Sequence, residues 1–413
     1  MSKLQELINK LCPNGVEFKP LGDISNLSRG KVYGKDYISE HRGEYPVFSS
    51  QTVNDGELGK IDTYDYDGFY LTWTTDGAYA GTIFYRQGKF SITNVCGLIS
   101  LKVNFINLKF LYYWLSIEAP KHVYYGMGNP KLMSNQMTSI MIPVPPIEVQ
   151  EEIVRILDSF SDYAAELQAE LQARKQQYEY YRNLLLTFNP SAYGCGTDDE
   201  QKDSVTTWGG HNYKIQWKKM GEIGTFIRGK RFVRTDIMEQ GVPCIHYGDM
   251  YTYYGLYTNN TPTFLKEEKA QKMRFAQKND IVIVAAGENK DDLGNAVAWL
   301  GEKPAAVHDA CFIFRSNLYP NYISHICRSH NYHKQIKMFA NEAKICSVSG
   351  QDLQKVLIPV PEYELQIKIA SILDRFETLV NDLTNGLPAE IAAVKDQYEY
   401  YRNKLLTFKK LTA

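Results

Sequence analysis

Two copies of the tripeptide Arg-Gly-Lys, at 29–31 and 228–230, are candidates for contacts with phosphate groups. The segment GTFIRGKR at 224–231 has the GxxxxGK spacing of a nucleotide-binding P-loop, but Arg231 stands where that loop needs a Ser or Thr hydroxyl for magnesium. The first copy lacks even the leading glycine. Because the tripeptide recurs, we expect phosphate contacts rather than nucleotide binding; the alternative is a turn after a strand, with exposed basic side chains. The candidates are Arg29, Lys31, Arg228, Lys230 and Arg231.

A group of histidine and cysteine side chains in the second half could suggest a metal site. His325, Cys327, His330 and His333 lie within nine residues, but they contain no H-x3-H or CxxC pair. On a helix these side chains would spread over more than one face. We therefore expect no bound metal. The seven cysteines are scattered along the chain, which argues against a disulfide framework and favours a reducing cytoplasm.

Signatures of catalysis are missing from the sequence. The stretch NPSAY at 189–193 has only a loose similarity to the Asn-Pro-Pro-aromatic motif of amino-methyltransferases, and no glycine-rich cofactor loop precedes it. Neither a nuclease cluster nor a recognisable nucleophile motif is present. We expect a binding protein rather than an enzyme.

Polar and aromatic side chains are concentrated in a few loop-like stretches. One follows an apolar run at 68–73, and another is YYGMGNPK at 124–131. In the second half they are 246–253, 288–290 and SVSGQD at 347–352, which occupies the place of YYGMGNPK. Such groups can hydrogen-bond to the edges of bases; the alternative for each is a solvated loop or a core aromatic. The candidates are Trp73, Thr74, Thr75, Tyr125, Asn129, Lys131, His246, Tyr247, Asp249, Tyr251, Asn289, Lys290, Ser347, Ser349 and Gln351.

The chain repeats itself. Residues 142–160 and 358–376 share 11 of 19 residues, and QYEYYRNLLLTF at 177–188 recurs with 11 of 12 residues at 397–408. Between these segments the two copies look unrelated. Shared repeat segments with unrelated sequences between them predict two modules that have one structural role and two specificities.

Local patterns predict how each copy is built. The IPVP motif that opens 142–160 and 358–376 indicates an extended segment that ends at prolines, followed by a long helix with a heptad pattern. Gly386 and Pro388 should break or kink the second of these helices. Apolar runs predict strands at 68–73, 280–285 and 310–314, and helices at 107–115 and 321–339.

Composition limits the possible partners. Lys and Arg number 46 against 47 Asp and Glu, so any nucleic acid would have to be met by local basic patches. The N-terminus does not read as a secretory signal, and no apolar stretch approaches the roughly 20 residues of a membrane helix. We expect a soluble cytoplasmic protein.

Four features together resemble the specificity subunits of type I restriction-modification systems, over essentially the whole chain. They are the twin IPVP…ILD.F segments, the twin QYEYYR segments, the short repeat AAEL-QAEL at 164–171, and NGLPAEI at 385–391. The resemblance implies an α+β fold with two tandem mixed α/β target-recognition domains, separated by an antiparallel coiled coil of two long helices in a pseudo-twofold arrangement. The implied organisation is a first target-recognition domain (1–146), a central repeat helix (147–188), a linker (189–213), a second target-recognition domain (214–361) and a C-terminal repeat helix (362–413).

The resemblance also implies a function and partners. The chain would bind an asymmetric, bipartite double-stranded DNA target and position two modification subunits and the restriction subunits. S-adenosylmethionine, ATP and magnesium would be bound by those partners and not by this chain. Each four-residue unit such as AAEL adds about 6 Å of helix, close to two base-pair steps, so the repeat helix could set the spacing. The alternative is a tandem-domain protein scaffold, or an orphan regulator, that does not read DNA; the neutral net charge favours it.

Overall fold

The computed structural model describes residues 3–126, 128–188, 204–342, 345–382 and 384–411. The chain divides into two compact units. Unit 1 comprises 1–168 and 390–413, and unit 2 comprises 169–389. Each unit therefore contains one variable segment together with helical parts of both repeats.

Unit 1 is built around a six-stranded sheet. Its elements are α1 (Lys3–Leu11), β1 (Glu17–Pro20), α2 (Leu21–Ile24), β2 (Ser25–Arg29), α3 (Lys35–Glu40), β3 (Arg42–Phe48), β4 (Glu57–Ile61), β5 (Tyr66–Thr74), β6 (Ile83–Ile92), β7 (Cys96–Leu101), α4 (Leu108–Glu118), α5 (Ser134–Thr138), β8 (Met141–Val144), the first part of α6 (Ile147–Thr187) and most of the last helix, α14 (Leu387–Leu405). The sheet order is β2-β7-β5-β6-β3-β4, and β1 pairs with β8. Only β3 and β6 run parallel within the larger sheet.

Unit 2 contains two five-stranded sheets. Its elements are the rest of α6, β9 (Ser204–Trp208), β10 (His211–Lys219), α7 (Met220–Ile223), β11 (Gly224–Arg228), β12 (Ile237–Met238), β13 (Val242–Ile245), α8 (Asp249–Thr252), β14 (Tyr257–Thr258), β15 (Thr263–Leu265), α9 (Glu267–Ala270), β16 (Phe275–Ala276), β17 (Ile281–Val284), β18 (Ala286–Gly287), β19 (Ala296–Trp299), β20 (Ala305–Val307), β21 (Cys311–Ser316), α10 (Pro320–Ile326), α11 (His330–Phe339), β22 (Cys346–Ser347), α12 (Gly350–Lys355), β23 (Leu357–Pro361), α13 (Tyr363–Asn381) and the start of α14 (Leu387–Leu405).

The sheet orders in unit 2 are β11-β21-β17-β19-β14 and β12-β15-β13-β20-β16, with two smaller sheets, β23-β10-β9 and β18-β22. Strand β13 runs parallel to β20, as β3 does to β6 in unit 1. Residues 189–203 of the predicted linker lie outside the described part of the chain. Its remaining residues, 204–213, belong to β9 and the start of β10, which pair as a hairpin.

The repeated IPVP motif forms strand β8 in unit 1 and β23 in unit 2, as predicted. A glutamine at the same repeat position follows each strand. Gln150 donates its Nε2 to the carbonyl oxygen of Pro145 (2.7 Å), and Gln366 donates to that of Pro361 (2.8 Å). Both glutamine side chains are buried, so the junction of strand and helix is built identically in the two units.

An aspartate eight residues, or about two turns, further along each helix fixes the neighbouring helix of the variable segment. Asp158 accepts hydrogen bonds from Tyr113 Oη and Lys109 Nζ of α4, both at 2.6 Å. Its counterpart Asp374 accepts from Asn321 Nδ2 of α10 (2.9 Å) and contacts His325 Nε2 (2.8 Å). The residues that contact the aspartate differ between the units, but in both units the aspartate links the repeat helix to a helix of the variable segment.

Each unit contains a pair of helices, one from each repeat. In unit 1 the ring of Phe160 on α6 stacks on Tyr401 of α14. Tyr163 Oη donates to Glu390 Oε1 (2.6 Å), so the two helices run antiparallel. In unit 2 the last part of α6 packs on α13, where Phe376 stacks on Tyr181. The predicted pairing of the two repeat helices is confirmed.

The second repeat helix is interrupted, as the sequence predicted. Helix α13 ends at Asn381 and α14 begins at Leu387, whereas α6 is continuous from Ile147 to Thr187. The amide of Gly386 donates to Asp382 O (3.0 Å), and a Cβ at Gly386 would lie 2.5 Å from Thr378 O. Only glycine therefore fits this close turn.

Most predicted elements are found at the expected places: 68–73 lies in β5, 280–285 contains β17, and 310–314 overlaps β21. The helix predicted at 321–339 is instead two helices, α10 and α11. Ser329 separates them, because its side chain accepts the amide of Tyr332 and caps α11. Among the described helices, none is both long and apolar enough to cross a membrane.

Candidate nucleic-acid interface

The two Arg-Gly-Lys segments form the same turn in the two units. Arg29 Nε donates to the backbone oxygen of Asn94, and Arg228 Nε to that of Asp309, both at 3.1 Å. The following glycines, Gly30 and Gly229, make equivalent backbone bonds to Cys96 O and Cys311 O. A Cβ would lie 2.0 Å from a backbone oxygen at Gly30 and 2.1 Å at Gly229. This close approach explains why the tripeptide recurs.

The basic side chains of these turns differ in the contacts that they make. Lys31 pairs with Asp65, and the hydrogen bond to that carboxylate raises the pKa of the lysine. Arg29 and Arg228 use Nε to hold the turn. Lys230 and Arg231 are exposed. The turn thus has a structural role, and phosphate contact by the five predicted basic residues stays a prediction.

In both units the predicted recognition loops lie against the end of the same central strand. The amide of Leu132, just after the 124–131 loop, donates to Thr75 O (2.9 Å) at the end of β5. The amide of Val348 donates to Ala285 O (2.9 Å) at the end of β17. The correspondence between YYGMGNPK and SVSGQD, expected from the sequence, is therefore reproduced in the backbone hydrogen bonds.

In unit 1 the exposed base-reading candidates all come from the 124–131 loop. Tyr125 is 75% exposed, and Asn129 and Lys131 are also exposed. Lys131 forms backbone bridges with Tyr124 and with Asp76, which follows β5. The loop and the strand end thus form one surface.

The prediction that Trp73, Thr74 and Thr75 contact DNA bases is wrong. All three side chains are fully buried in the unit 1 core. Trp73 Nε1 donates to Leu132 O (3.0 Å), and Thr75 Oγ1 donates to Val95 O (2.8 Å). Their polar atoms are satisfied by backbone, so these side chains support the surface instead of forming part of it. An apolar run that ends in polar residues predicted exposure, whereas the surrounding loops cover the strand end.

Unit 2 has an open cleft of about 1000 Å³ at the corresponding place. It brings together four predicted residues: Arg231, His246, Tyr247 and Asp249. The remaining lining includes Phe232, Arg234, Glu288, His308, Asp309 and Ile345. We call this the unit 2 cleft. It offers basic, acidic, imidazole and aromatic groups within one concavity, as base and phosphate recognition requires.

Burial controls the ionisation of the two histidines in the unit 2 cleft. Desolvation lowers the pKa of His246, and the nearby Arg234 lowers it further, against the opposite effect of Asp249. Desolvation also lowers the pKa of His308, while Asp309 acts to raise it. Both imidazoles are therefore more readily neutral than ordinary histidines.

The other unit 2 candidates lie outside the cleft lining. Tyr251 contributes to a separate cavity of about 500 Å³, and burial raises its pKa. Asn289 caps a short 3-10 turn by accepting the amide of Asp291 (3.0 Å), and Lys290 pairs with Glu342. Ser349 caps α12 by accepting the amide of Asp352 (3.1 Å). Ser347 is half-buried in β22, and Gln351 is exposed on α12.

Sequence reasoning missed Ser49, Thr93 and His308. The parallel pairs place Phe48 beside Ile92 and Ile245 beside Val307. The next residues are therefore counterparts: Ser49 with His246, and Thr93 with His308. Thr93 Oγ1 donates to Ser49 Oγ (3.1 Å), and the rings of His246 and His308 lie 4.9 Å apart. No local signal could have paired them, because each pair joins distant strands.

The histidine-rich helix segment is structural within the described residues. His325 is fully buried between Asp374 and Tyr178, and burial lowers the pKa of His333 to about 4. The described part of the chain contains no group of three or more side chains that could hold a metal ion.

Comparison with known proteins shows which family this chain resembles. The family described as "Type I restriction modification DNA specificity domain" matches residues 13–174 and 213–393, one match for each repeat. A protein of Mycoplasma pneumoniae that carries the name of a type I specificity subunit is 32% identical over 385 residues, which is 93% of this chain and 95% of that protein. The type I restriction enzyme MpnII specificity subunit of the same organism is 40% identical over 49% of this chain and 61% of its own length.

Solved structures agree on the fold. The S subunit of a type I restriction-modification system from M. genitalium superposes with a TM-score of 0.52, at 15% identity, over 96% of this chain and 97% of that chain. A chain from a study of complex assembly and conformational transition of the type I R-M system gives 0.59, also at 15% identity, over 96% and 98%. This chain therefore belongs to the family of type I restriction-modification DNA specificity subunits, the non-catalytic recognition component of those enzymes.

Proposed function

We propose that the chain binds an asymmetric, bipartite double-stranded DNA site and that each unit reads one half of it. The reading surfaces are the 124–131 loop with the end of β5 in unit 1, and the unit 2 cleft with the end of β17. One observation carries the proposal: the same backbone hydrogen bonds frame two different sets of side chains. Two units with the same backbone hydrogen bonds but different side chains are suited to two half-sites of different sequence.

The charge distribution supports local contacts with DNA. The net charge of −1 excludes a strong overall attraction to phosphates, so positive groups must act where they cluster. Arg231 and Arg234 line the unit 2 cleft, and Lys131 is exposed on the unit 1 loop. These are the side chains that would fix the position of each unit on the backbone of the duplex.

We also infer that α6 determines the distance between the half-sites. The AAEL-QAEL repeat at 164–171 lies within its unbroken length. Adding one four-residue unit would lengthen the helix by about 6 Å, which corresponds to roughly two base pairs. The predicted spacer of the target would then increase by the same amount.

The partners follow from the family and remain part of the proposal. Two modification subunits and the restriction subunits would dock on this chain in the cytoplasm. S-adenosylmethionine, ATP and magnesium would be bound by those subunits, and this chain would contribute recognition and position.

Salt dependence and spacer length test the proposal. Binding of the full chain to its selected duplex should weaken steeply as salt rises, because each neutralised phosphate contributes a slope of about −0.9 in log affinity against log salt. Competitor duplexes whose spacer is changed by one base pair should compete poorly. Indifference to both salt and spacing would contradict the proposal and favour the scaffold or orphan-regulator alternative.

A further inference from the structure

His246 lies at a position where the two units carry side chains of different chemistry. It is the first residue after β13, and its counterpart Ser49 is the first after β3. The residues beside them, His308 and Thr93, donate their amides to the last residue of the parallel strand, Ile245 O (3.2 Å) and Phe48 O (2.8 Å). The same backbone hydrogen bond frames this position in both units, whereas the side chains differ.

The backbone fixes which nitrogen of His246 carries the proton. Nδ1 accepts a hydrogen bond from the amide of Gly248 (3.2 Å). A neutral imidazole that accepts at Nδ1 must carry its proton on Nε2. His308 is held in the same way, because its Nδ1 accepts from the amide of Ala310 (3.2 Å).

Neighbouring rings fix the orientation of the His246 ring. Its centroid lies 4.9 Å from that of His308 and 5.9 Å from that of Phe232. Within the described residues, Nε2 of His246 has no hydrogen-bond partner, although the ring lines the unit 2 cleft. The side chain therefore offers one oriented N–H donor to whatever occupies that cleft.

Burial favours the neutral form of the His246 ring. Burial lowers its pKa below the ordinary value, Asp249 on α8 acts to raise the pKa, and Arg234 acts to lower it. The other titratable groups that line the cleft are Arg231, Tyr247, Glu288, His308 and Asp309. In the neutral form only Nε2 donates, which makes the contact selective for an acceptor.

We propose that His246 is a specificity-determining residue, which donates its Nε2–H to an acceptor on a base edge in the half-site read by unit 2. This inference rests on the proposed function. In the major groove guanine, adenine and thymine each present an acceptor, whereas cytosine presents only the N4 donor. The contacted position therefore excludes cytosine. Ser49 in unit 1 both donates and accepts through its hydroxyl, and imposes no such exclusion.

The test is selection of double-stranded DNA from a randomised library by the full chain. His246→Ser is compared with the wild-type chain and with His330→Ser, an exposed histidine of unit 2 outside the cleft lining. We expect His246→Ser to reduce the discrimination against cytosine about fivefold to tenfold at one position of one half-site, the value of a single hydrogen bond. The other half-site and the His330→Ser profile should match the wild type.

A second variant distinguishes loss of the base contact from misfolding of unit 2. His246→Asn keeps an oxygen that can accept the Gly248 amide and an N–H that can donate, so it should retain part of the discrimination. Unchanged base preferences in His246→Ser would overturn the inference. So would a uniform loss of affinity with the same preferences, since that outcome indicates a phosphate contact. If the wild-type chain selects no bipartite site, the proposed function itself fails, and this inference with it.

Discussion

Tyr401 stacks on Phe160 in unit 1, with ring centroids 5.5 Å apart and ring planes 24° from parallel. Tyr181 stacks on Phe376 in unit 2 with nearly the same geometry, 5.7 Å and 23°. In each pair the tyrosine comes from one QYEYYR segment and the phenylalanine from the ILD.F segment of the other repeat. The QYEYYR segment of each repeat therefore contacts the ILD.F segment of the other repeat. These contacts explain why both segments are the same in the two repeats, whereas the variable segments differ.

Removing this stacking should weaken unit 1. We expect Phe160→Ala and Tyr401→Ala each to lower the free energy of unfolding by about 1–2 kcal/mol, because both rings are only partly buried. Their effects should be coupled by about 1 kcal/mol in a double-mutant cycle measured by urea denaturation. Tyr400→Ala, at a neighbouring side chain that is 60% exposed, is the control. Strict additivity of the two substitutions would show that the stacking contributes nothing.

Gln150→Leu should destabilise the junction of strand and helix. The buried amide donates to Pro145 O (2.7 Å) and Phe105 O (2.9 Å), and accepts from the amide of Asn107 (2.8 Å). Leucine has a similar size but leaves these backbone groups unsatisfied, so we expect a loss of about 3 kcal/mol. Gln168→Leu, an exposed site on the same helix, should change stability by less than about 0.5 kcal/mol. Equal denaturation midpoints for the two variants would contradict the role of Gln150.

Gly229→Ala should disrupt the Arg-Gly-Lys turn of unit 2. The added Cβ would lie 2.1 Å from His308 O and 2.4 Å from Val307 O, and both are backbone atoms that cannot move aside as a flexible side chain would. We expect a loss of about 3 kcal/mol in unfolding free energy. The matched control is Gly255→Ala, where the nearest atom to the new Cβ is a glutamate oxygen at 4.0 Å. A stable Gly229→Ala protein with unchanged DNA selection would show that the close approach is not required.

Glu152 should make unit 1 sensitive to acid. Its hydrogen bonds with Arg155, and with Lys3, lower the pKa of the carboxyl to about 2. A carboxyl with a lowered pKa in the folded state stabilises the protein above its unfolded pKa, and that contribution is lost as the pH falls from about 4.5 towards 2. Because Lys3 and Arg155 are largely exposed, we expect only about 2 kcal/mol.

The comparison for this prediction is Glu152→Gln, measured by denaturation at several pH values. The variant should be less stable than the wild type at pH 7, and the difference should shrink as the pH falls below 4. Glu151→Gln, at an exposed neighbour, should show no such trend. A stability difference that is independent of pH would contradict the assignment.

The repeated frame could be predicted from the sequence because its signals are local. The prolines of IPVP end a strand, and Gly386 ends a helix by its own backbone geometry. The repeat also predicts that Gln150 and Gln366 have the same role, since identical residues at one offset imply identical neighbours.

The reading surface was less accessible to prediction, because it depends on long-range pairing. Burial of Trp73 follows from the loop that covers β5, which returns almost 60 residues later through Leu132. The pairing of His246 with His308 requires the parallel strands β13 and β20, which no short-range pattern reveals. The sequence therefore indicated the two corresponding loops beside the ends of β5 and β17, but not which of their neighbouring side chains are buried.

In the proposed function, one chain reads two different half-sites at a fixed separation. The most direct test is to co-express the chain with its modification subunits and to map the methylated bases across the host genome. We expect a single asymmetric motif of two parts with an invariant spacer, which lengthens by about two base pairs when one AAEL unit is added to α6. A stable complex that methylates no motif, or one contiguous motif unaffected by the insertion, would contradict it.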